Sequence, residues 1–381
     1  MQVPFPYFKV LYNNKNVTKA LSDYIVAISY SDKVSGESDE ISITVADPDL
    51  KFQNGSYPQK GDKITVEIGM SDSFVLKCGT FQIDQVKLSG PPDLVNINGI
   101  ATGIDAKLKT KKSTAHENKT LRQIVNSIAA ANGYQILGDI ENIAIGRVSQ
   151  YRETDLQFLN RLANDYGYAF SVRDNNLIFS SVYELEAKKH ILTIDKTDLS
   201  SYNFTDNTMQ TFKSATVKSH NPAENQIIQS TTEPAPVAEQ KPFNPLDFST
   251  FGPPATSNSD TLEIRDKTET QSQAIAKSKA GLHKKNSKSK TFSGSTYGNP
   301  LMVSGINFEL TGFGELSGIY HITESKHNIT KGDGFRTTFE AKRITAVSDN
   351  KKLPKKKKEE KKASPDTTAK KPFNPFDHST Y

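Results

Sequence analysis

Several side chains are of types that perform chemistry. Paired carboxylates placed across a cleft would suit hydrolysis, and Glu184/Glu186 and Glu37/Asp39/Glu40 supply acids at short spacing. They fall in polar segments and at strand edges, where a solvated face is the default reading of charge. The one cysteine, Cys78, sits before Gly79 at a strand start, and a nucleophilic role would need a histidine partner and an electropositive setting, so none is expected. It also excludes an intrachain disulfide framework and any cysteine-built metal centre. His321 and His327 are six residues apart, unlike the i, i+4 pair of a helical zinc site, and read as hydrogen-bonded structural histidines. Gly312-Phe313-Gly314 lacks the following helix that a phosphate loop needs. These readings lead to the expectation of no enzyme, no metal site and no cofactor.

The most informative pattern is a repeat. Lys241-Pro242-Phe243-Asn244-Pro245-Leu246-Asp247-Phe248-Ser249-Thr250-Phe251 recurs as Lys371-Pro372-Phe373-Asn374-Pro375-Phe376-Asp377-His378-Ser379-Thr380-Tyr381, identical at 8 of 11 positions. Two prolines favour an extended backbone and lower the entropy cost of docking. Phe243 and Phe373, with Phe251 and Tyr381 at the far ends, would anchor each copy on a partner.

The chain has 381 residues and a formal net charge of +5. Residues 351–381 carry 10 Lys against 4 Asp/Glu, so the preceding 350 sum to −1 and the basicity lies in a tail. The tail lacks interleaved aromatics for base stacking and reads as a spacer extended by self-repulsion. Specific nucleic-acid binding is therefore not expected, and neither is membrane insertion, because no apolar run approaches 18 residues. With no signal-peptide pattern either, synthesis in a reducing cytoplasm is expected.

The elements divide as follows. Residues 1–104 alternate with period two in several short stretches, such as Tyr24–Tyr30, Glu40–Val45 and Leu94–Ile100, and predict a first β-barrel, completed by 190–220. Residues 105–190 predict an α/β insertion. Thr120-Leu121-Arg122-Gln123 and Thr154-Asp155-Leu156-Gln157 are capping boxes, and Gly133 and Gly167 close the two helices. Residues 221–261 hold 7 of the 18 prolines and form a linker carrying the first repeat copy. Residues 262–286 look helical, and 290–345 return to β, so 262–346 is taken as a helix plus a second barrel. Residues 347–381 form a Lys-rich flexible tail with the second copy.

In this order the elements resemble the late control gene D family, the baseplate hubs of contractile phage tails, and the hub part of VgrG-type spike proteins. The resemblance is carried by Ser38-Asp39-Glu40-Ile41-Ser42-Ile43-Thr44-Val45-Ala46-Asp47, Gly61-Asp62-Lys63-Ile64, Gly79-Thr80-Phe81-Gln82-Ile83-Asp84 and Gly90-Pro91-Pro92-Asp93. The helix at 119–133, the helix and hairpin from Thr154 through Phe179, and the closing segment Gly312-Phe313-Gly314 to Thr338 complete it. It implies a β-rich α+β fold with two tail-tube-like barrels interrupted by a small α/β domain, assembled as a trimeric ring. The implied role is to join the hexameric tail tube to the trimeric spike and to line the channel. The implied partners are its own copies, the spike, the tube, and baseplate wedge and tape-measure proteins. Localisation would be the host bacterial cytoplasm, then the virion tail baseplate. The chain departs from the family in carrying no fused spike or lysozyme module and in adding the two repeat copies. Other readings are the hub of a non-phage injection system and, lower, a tail-associated cell-wall hydrolase or a nucleic-acid-binding module.

Overall fold

The computed structural model describes residues 5–36, 38–71, 74–102, 108, 110–173, 176–207, 211–221, 226–233 and 258–344. Seven strands open the chain: β1 (Pro6–Tyr12), β2 (Lys15–Asn16), β3 (Ile25–Lys33), β4 (Glu40–Ala46), β5 (Lys63–Met70), β6 (Val75–Ser89) and β7 (Leu94–Ala101), with the single turn α1 (Thr18–Leu21) between β2 and β3. They pair antiparallel in the order β3-β4-β7-β6-β5-β1-β2. Their alternation has a direct cause: in β4, Ile41, Ile43 and Val45 are buried while the residues between them are not, as a pleat with one covered face requires. Val66, Phe81 and Val95 from β5, β6 and β7 join them in one core.

The insertion comprises β8 (Lys111–Thr120), α2 (Leu121–Asn132), β9 (Gln135–Leu137), β10 (Ala144–Thr154), α3 (Asp155–Tyr166), β11 (Tyr168–Arg173), β12 (Asn176–Ser181) and α4 (Val182–Ala187). Both predicted capping boxes form: the Gln123 amide donates to Thr120 Oγ1 at 3.2 Å and the Gln157 amide to Thr154 Oγ1 at 3.1 Å. Gly133 and Gly167 end their helices with φ of 76° and 78°, a region that strains any residue with a Cβ. Leu121, Ile124, Val125 and Ile128 of α2 pack against Phe158, Leu159 and Leu162 of α3 and against the β11-β12-β9 sheet. β8 and β10 form a separate antiparallel ribbon. Its side chains are mostly exposed, so it carries no hydrophobic periodicity, and the sequence reading did not find it.

The remainder holds β13 (Leu192–Asp195), β14 (Leu199–Asp206), β15 (Phe212–Asn221), β16 (Gln226–Thr232), β17 (Asn258–Ile264), α5 (Gln271–Asn286), β18 (Lys290–Tyr297), β19 (Asn307–Thr311), β20 (Gly318–Thr330) and β21 (Gly334–Arg343). β14-β18-β21-β20 form one ladder, and β20 also pairs with β19, which takes β13 in parallel. The core here is aromatic: Phe292, Phe308, Tyr320 and Phe339. β15 lies between β16 and β17 in a small sheet with α5 against it; Val217, Ile228 and Ala274 are buried together.

Three expectations change. Residues 221–261 are not all linker, because β16 (Gln226–Thr232) and the start of β17 lie within them and pair with β15. Residues 190–220 do not complete the first set of strands. β13 and β14 join the C-terminal set, because Ile194 is buried among its aromatics, and β15 enters the small sheet. Residues 262–264 are the end of β17 and not the start of a helix; Leu262 and Ile264 alternate, and α5 begins only after the Thr270 cap. The outcome with most consequence for function is the pairing of β3 with β20, from Lys33↔Glu324 to Ala27↔Thr330. It merges the N- and C-terminal sets into one 13-stranded sheet, and Ile329 and Phe335 enter the N-terminal core. The strand path does not close on itself among the described residues.

Candidate functional site

Two buried polar nodes sit where the N-terminal strands, the insertion and the C-terminal strands meet. The first is built on Asp32 near the end of β3, fully buried. It accepts from the Ser304 amide at 2.8 Å and the Ser304 hydroxyl at 2.6 Å, and it is ion-paired with Arg173 at the end of β11. The Arg173 guanidinium also reaches Asp39, Nε to Oδ2 at 3.0 Å. The Lys33 amide and Tyr30 hydroxyl donate to Asp39 at 3.3 and 3.4 Å. Burial lifts the Asp39 carboxyl to about 6, although Arg173 pulls against it. Burial opposes charge on Arg173 as well, but Asp32 and Asp39 outweigh it and hold the guanidinium ionised. One carboxylate thus ties three parts of the chain together. Next to it, His327 is buried, stacked on Tyr30 at 6.1 Å and bonded through Nδ1 to Thr337 Oγ1 at 3.0 Å. Burial lowers this imidazole to about 4.

The second node is built on Glu186 of α4. Its carboxylate meets Lys342 Nζ of β21 at 2.6 Å and His283 Nε2 of α5 at 2.9 Å. Burial would raise its pKa, yet these two partners hold it down at about 2. The Asn307 side-chain amide donates to the carbonyls of Leu185, Glu186 and Lys188 at 3.1, 3.0 and 2.6 Å. Its oxygen faces His321 Nδ1 at 2.7 Å. Burial, with Lys342 nearby, lowers His321 to about 4. The node forms part of a cleft of about 750 Å³ between α3, α5 and strands β14, β18 and β21. Asn307→Ala is expected to cost about 2 kcal/mol, since buried carbonyls lose their donor; urea unfolding of the purified variant would measure it.

Of the acids considered for hydrolysis, Glu184 is exposed and Glu186 is buried and held by Lys342 and His283; Asp39 belongs to the Arg173 node and Glu37 lies outside the described residues. Burial raises the Cys78 thiol far above its usual range, away from thiolate chemistry. Among the described residues no group of three or more His, Cys, Asp or Glu could hold a metal ion. The docking residues read from the repeat, Lys241, Pro242, Phe243, Asn244, Pro245, Phe251, Lys371, Pro372, Phe373, Asn374, Pro375 and Tyr381, all lie outside the described residues. Arg173, His283, Asn307 and Lys342, which make the nodes, were not anticipated, because their partners are distant in sequence.

The model of the phage tail baseplate hub (GPD) family matches residues 106–332, well over half of the chain. The chain belongs to this family. Probable baseplate hub proteins of Escherichia phages 186 and P2 are 26% and 29% identical over 176 and 177 residues. Each alignment covers 46% of this chain and 44% or 45% of the relative, so the chain matches slightly less than half the length of either. The fold is similar to that of a 43 kDa tail protein of prophage MuSo2 from Shewanella oneidensis, with a TM-score of 0.62 at 15% identity, covering 89% of this chain and 98% of that one. It is also similar to a tail protein from Neisseria meningitidis MC58, TM-score 0.59 at 13% identity over 89% and 96% of the two chains. A component of the type VI secretion system from E. coli follows at 0.52 and 12%, over 85% and 74%. The matched segment runs from just before the β8–β10 ribbon through β20 and includes Arg173, Glu186, His283, Ser304, Asn307, His321 and His327.

Proposed function

We propose that this chain is the structural baseplate hub of a phage-type contractile tail. The observation that carries the reading is the β3–β20 ladder, which makes two sets of strands one hydrogen-bonded body, clamped to the insertion by Asp32 and Glu186. A part that transmits force between a tube and a spike needs such continuity, whereas a jointed pair of domains would move. In the full reading, each set of strands is a tail-tube-like barrel and three chains close a ring of six. That ring joins the hexameric tube to the trimeric spike and lines the channel, with wedge and tape-measure proteins as further partners. Among the described residues β14 and β16 end their sheets, and these edges fit closure by neighbouring copies, since an unpaired edge is otherwise prone to aggregate. No chemical step is assigned to the chain.

The test is the solution mass by light scattering, with and without the spike protein of the same tail. Three chains of 42.1 kDa give about 126 kDa, the mass expected of a closed threefold ring. A trimer, alone or formed on adding the spike, supports the reading; a monomer indifferent to the spike overturns it. The likeness to a type VI secretion component favours a second reading, the hub of a non-phage injection system. Purified particles would separate the two readings, by packaged genome in one case and its absence in the other.

A further inference from the structure

The chain holds three Asn-Gly dipeptides, Asn54-Gly55, Asn98-Gly99 and Asn132-Gly133. Asparagine before glycine is prone to lose its side-chain amide, because glycine has no Cβ to crowd the backbone nitrogen that attacks. The three dipeptides are equivalent in sequence but not in the fold. Asn98 lies in β7, paired with β4 on one side and β6 on the other, where Gly99 sits opposite Ile41 and Ile83. Gly99 is buried, and its nitrogen cannot swing toward the Asn98 carboxamide unless both ladders open. Asn132 ends α2. Its side-chain amide donates to the Ile128 carbonyl at 2.8 Å and to Asp155 Oδ2 at 3.1 Å. The Gly133 amide is bonded to the carbonyls of Ala129 and Ala130, so leaving group and nucleophile are both held. At Asn54 neither is. Residues 54–56 are exposed in the turn after β4. Among the described residues, neither the Asn54 carboxamide nor the Gly55 amide has a hydrogen-bond partner. A Cβ added at Gly55 would meet nothing within 4 Å, so the backbone here has room to turn. The residues just before are fixed: Asp47 accepts from the Phe52 and Gln53 amides at 3.1 Å each, and Phe52 is buried against Tyr24.

We propose that Asn54 is a site of spontaneous deamidation, the dipeptide among the three that reacts while the chain stays folded. The Gly55 nitrogen attacks Asn54 Cγ, and the new N–Cγ bond forms as the Cγ–Nδ2 bond breaks. The departing nitrogen takes up the proton lost by the Gly55 amide and leaves as ammonia. Water then opens the cyclic imide at either carbonyl, giving aspartate or isoaspartate; water is the single co-reactant. The cost of reaching the reactive geometry separates the rates. At Asn54 the exposed turn has only to rotate, whereas at Asn98 and Asn132 hydrogen bonds of a paired strand or a helix end must open first. Either product adds a negative charge to the N-terminal set of strands. Isoaspartate also lengthens the backbone between Phe52, anchored in the core, and the start of β5.

The experiment incubates the purified full-length chain in mildly alkaline buffer, digests it with trypsin under mildly acidic conditions and follows each asparagine by mass spectrometry. Asn54 is read in the peptide from Phe52 to Lys60. In the folded chain Asn54 is expected to convert at least about tenfold faster than Asn98 or Asn132. In guanidinium chloride above the unfolding transition the difference should shrink to less than about threefold, because the fold no longer separates the sites. Gly55→Ala fits the open space without left-handed strain. It should slow Asn54 by about tenfold or more and leave the unfolding midpoint no lower than in wild type. Equal rates at the three sites in the folded chain, or faster conversion at Asn98 or Asn132, overturn the proposal. So does an Asn54 that converts only once the chain is unfolded. A difference that persists undiminished in guanidinium chloride assigns the choice to neighbouring sequence and overturns it as well. Unaltered conversion of the Gly55→Ala chain overturns ring closure through the nitrogen of residue 55.

Discussion

Arg173→Ala is expected to destabilise the chain by about 3 kcal/mol, more than removal of any exposed ion pair. The side chain is 39% exposed, but its partners Asp32 and Asp39 are 0% and 6% exposed. Removing the cation leaves two carboxylates buried together, and a broken buried pair costs about 3–5 kcal/mol; the solvent reaching Arg173 places the figure at the low end. Asp39→Asn in the Arg173→Ala background should restore part of the loss, since one uncompensated charge then remains, and the two substitutions should be clearly non-additive. Urea unfolding of the four members of this cycle is the measurement. An additive cycle would show that Arg173 acts through packing alone. Because Arg173 ends β11 while Asp32 belongs to β3, limited proteolysis should also release the insertion sooner in the single variant.

Acidification to pH 5 should lower stability by about 3 kcal/mol relative to pH 7. His321 and His327 are buried and neutral, both lowered to about 4 from 6.5. Between these values the unfolded chain binds protons that the folded chain refuses, so stability falls as pH drops through 6.5 toward 4. At pH 5 each imidazole contributes about 2 kcal/mol of that loss. Asp39 acts in the opposite sense: its folded value of about 6 lies above 3.8, so it takes up a proton on folding and returns about 1 kcal/mol over the same range. Glu186, held at about 2 against 4.5, adds its own loss only below about pH 4.5. Unfolding midpoints at pH 7, 6 and 5 would check the net slope. His327→Gln should flatten it by about two thirds; an unchanged slope would mean that His327 is already protonated in the folded chain.

How far the sequence could be read depended on how local each cause was. The capping boxes at Thr120 and Thr154, and the glycines that close their helices, act within one turn and were legible residue by residue. So were β4 and β7, whose alternation reflects one covered face. The β8–β10 ribbon was invisible because its exposed faces carry no pattern, and α5 was placed only approximately: it buries Gln273, Ala274, Ser278, Ala280 and Leu282, four of them small or polar, which leaves a weak stripe. The assignment of 190–220 to the first set of strands failed for a related reason. Strand character is local, but the choice of neighbour is not.

By itself the sequence determined the element order that places the chain in its family, the exclusion of disulfide and cysteine–metal chemistry, and the duplicated segment at 241–251 and 371–381. Tertiary structure decided what joins the parts. Arg173 and Ser304 lie 141 and 272 positions from Asp32, His283 lies 97 from Glu186, and β3 meets β20 across nearly 300 residues. A charge is tolerated in the interior only where its partner arrives, and contacts over such separations leave no periodicity for a single sequence to reveal.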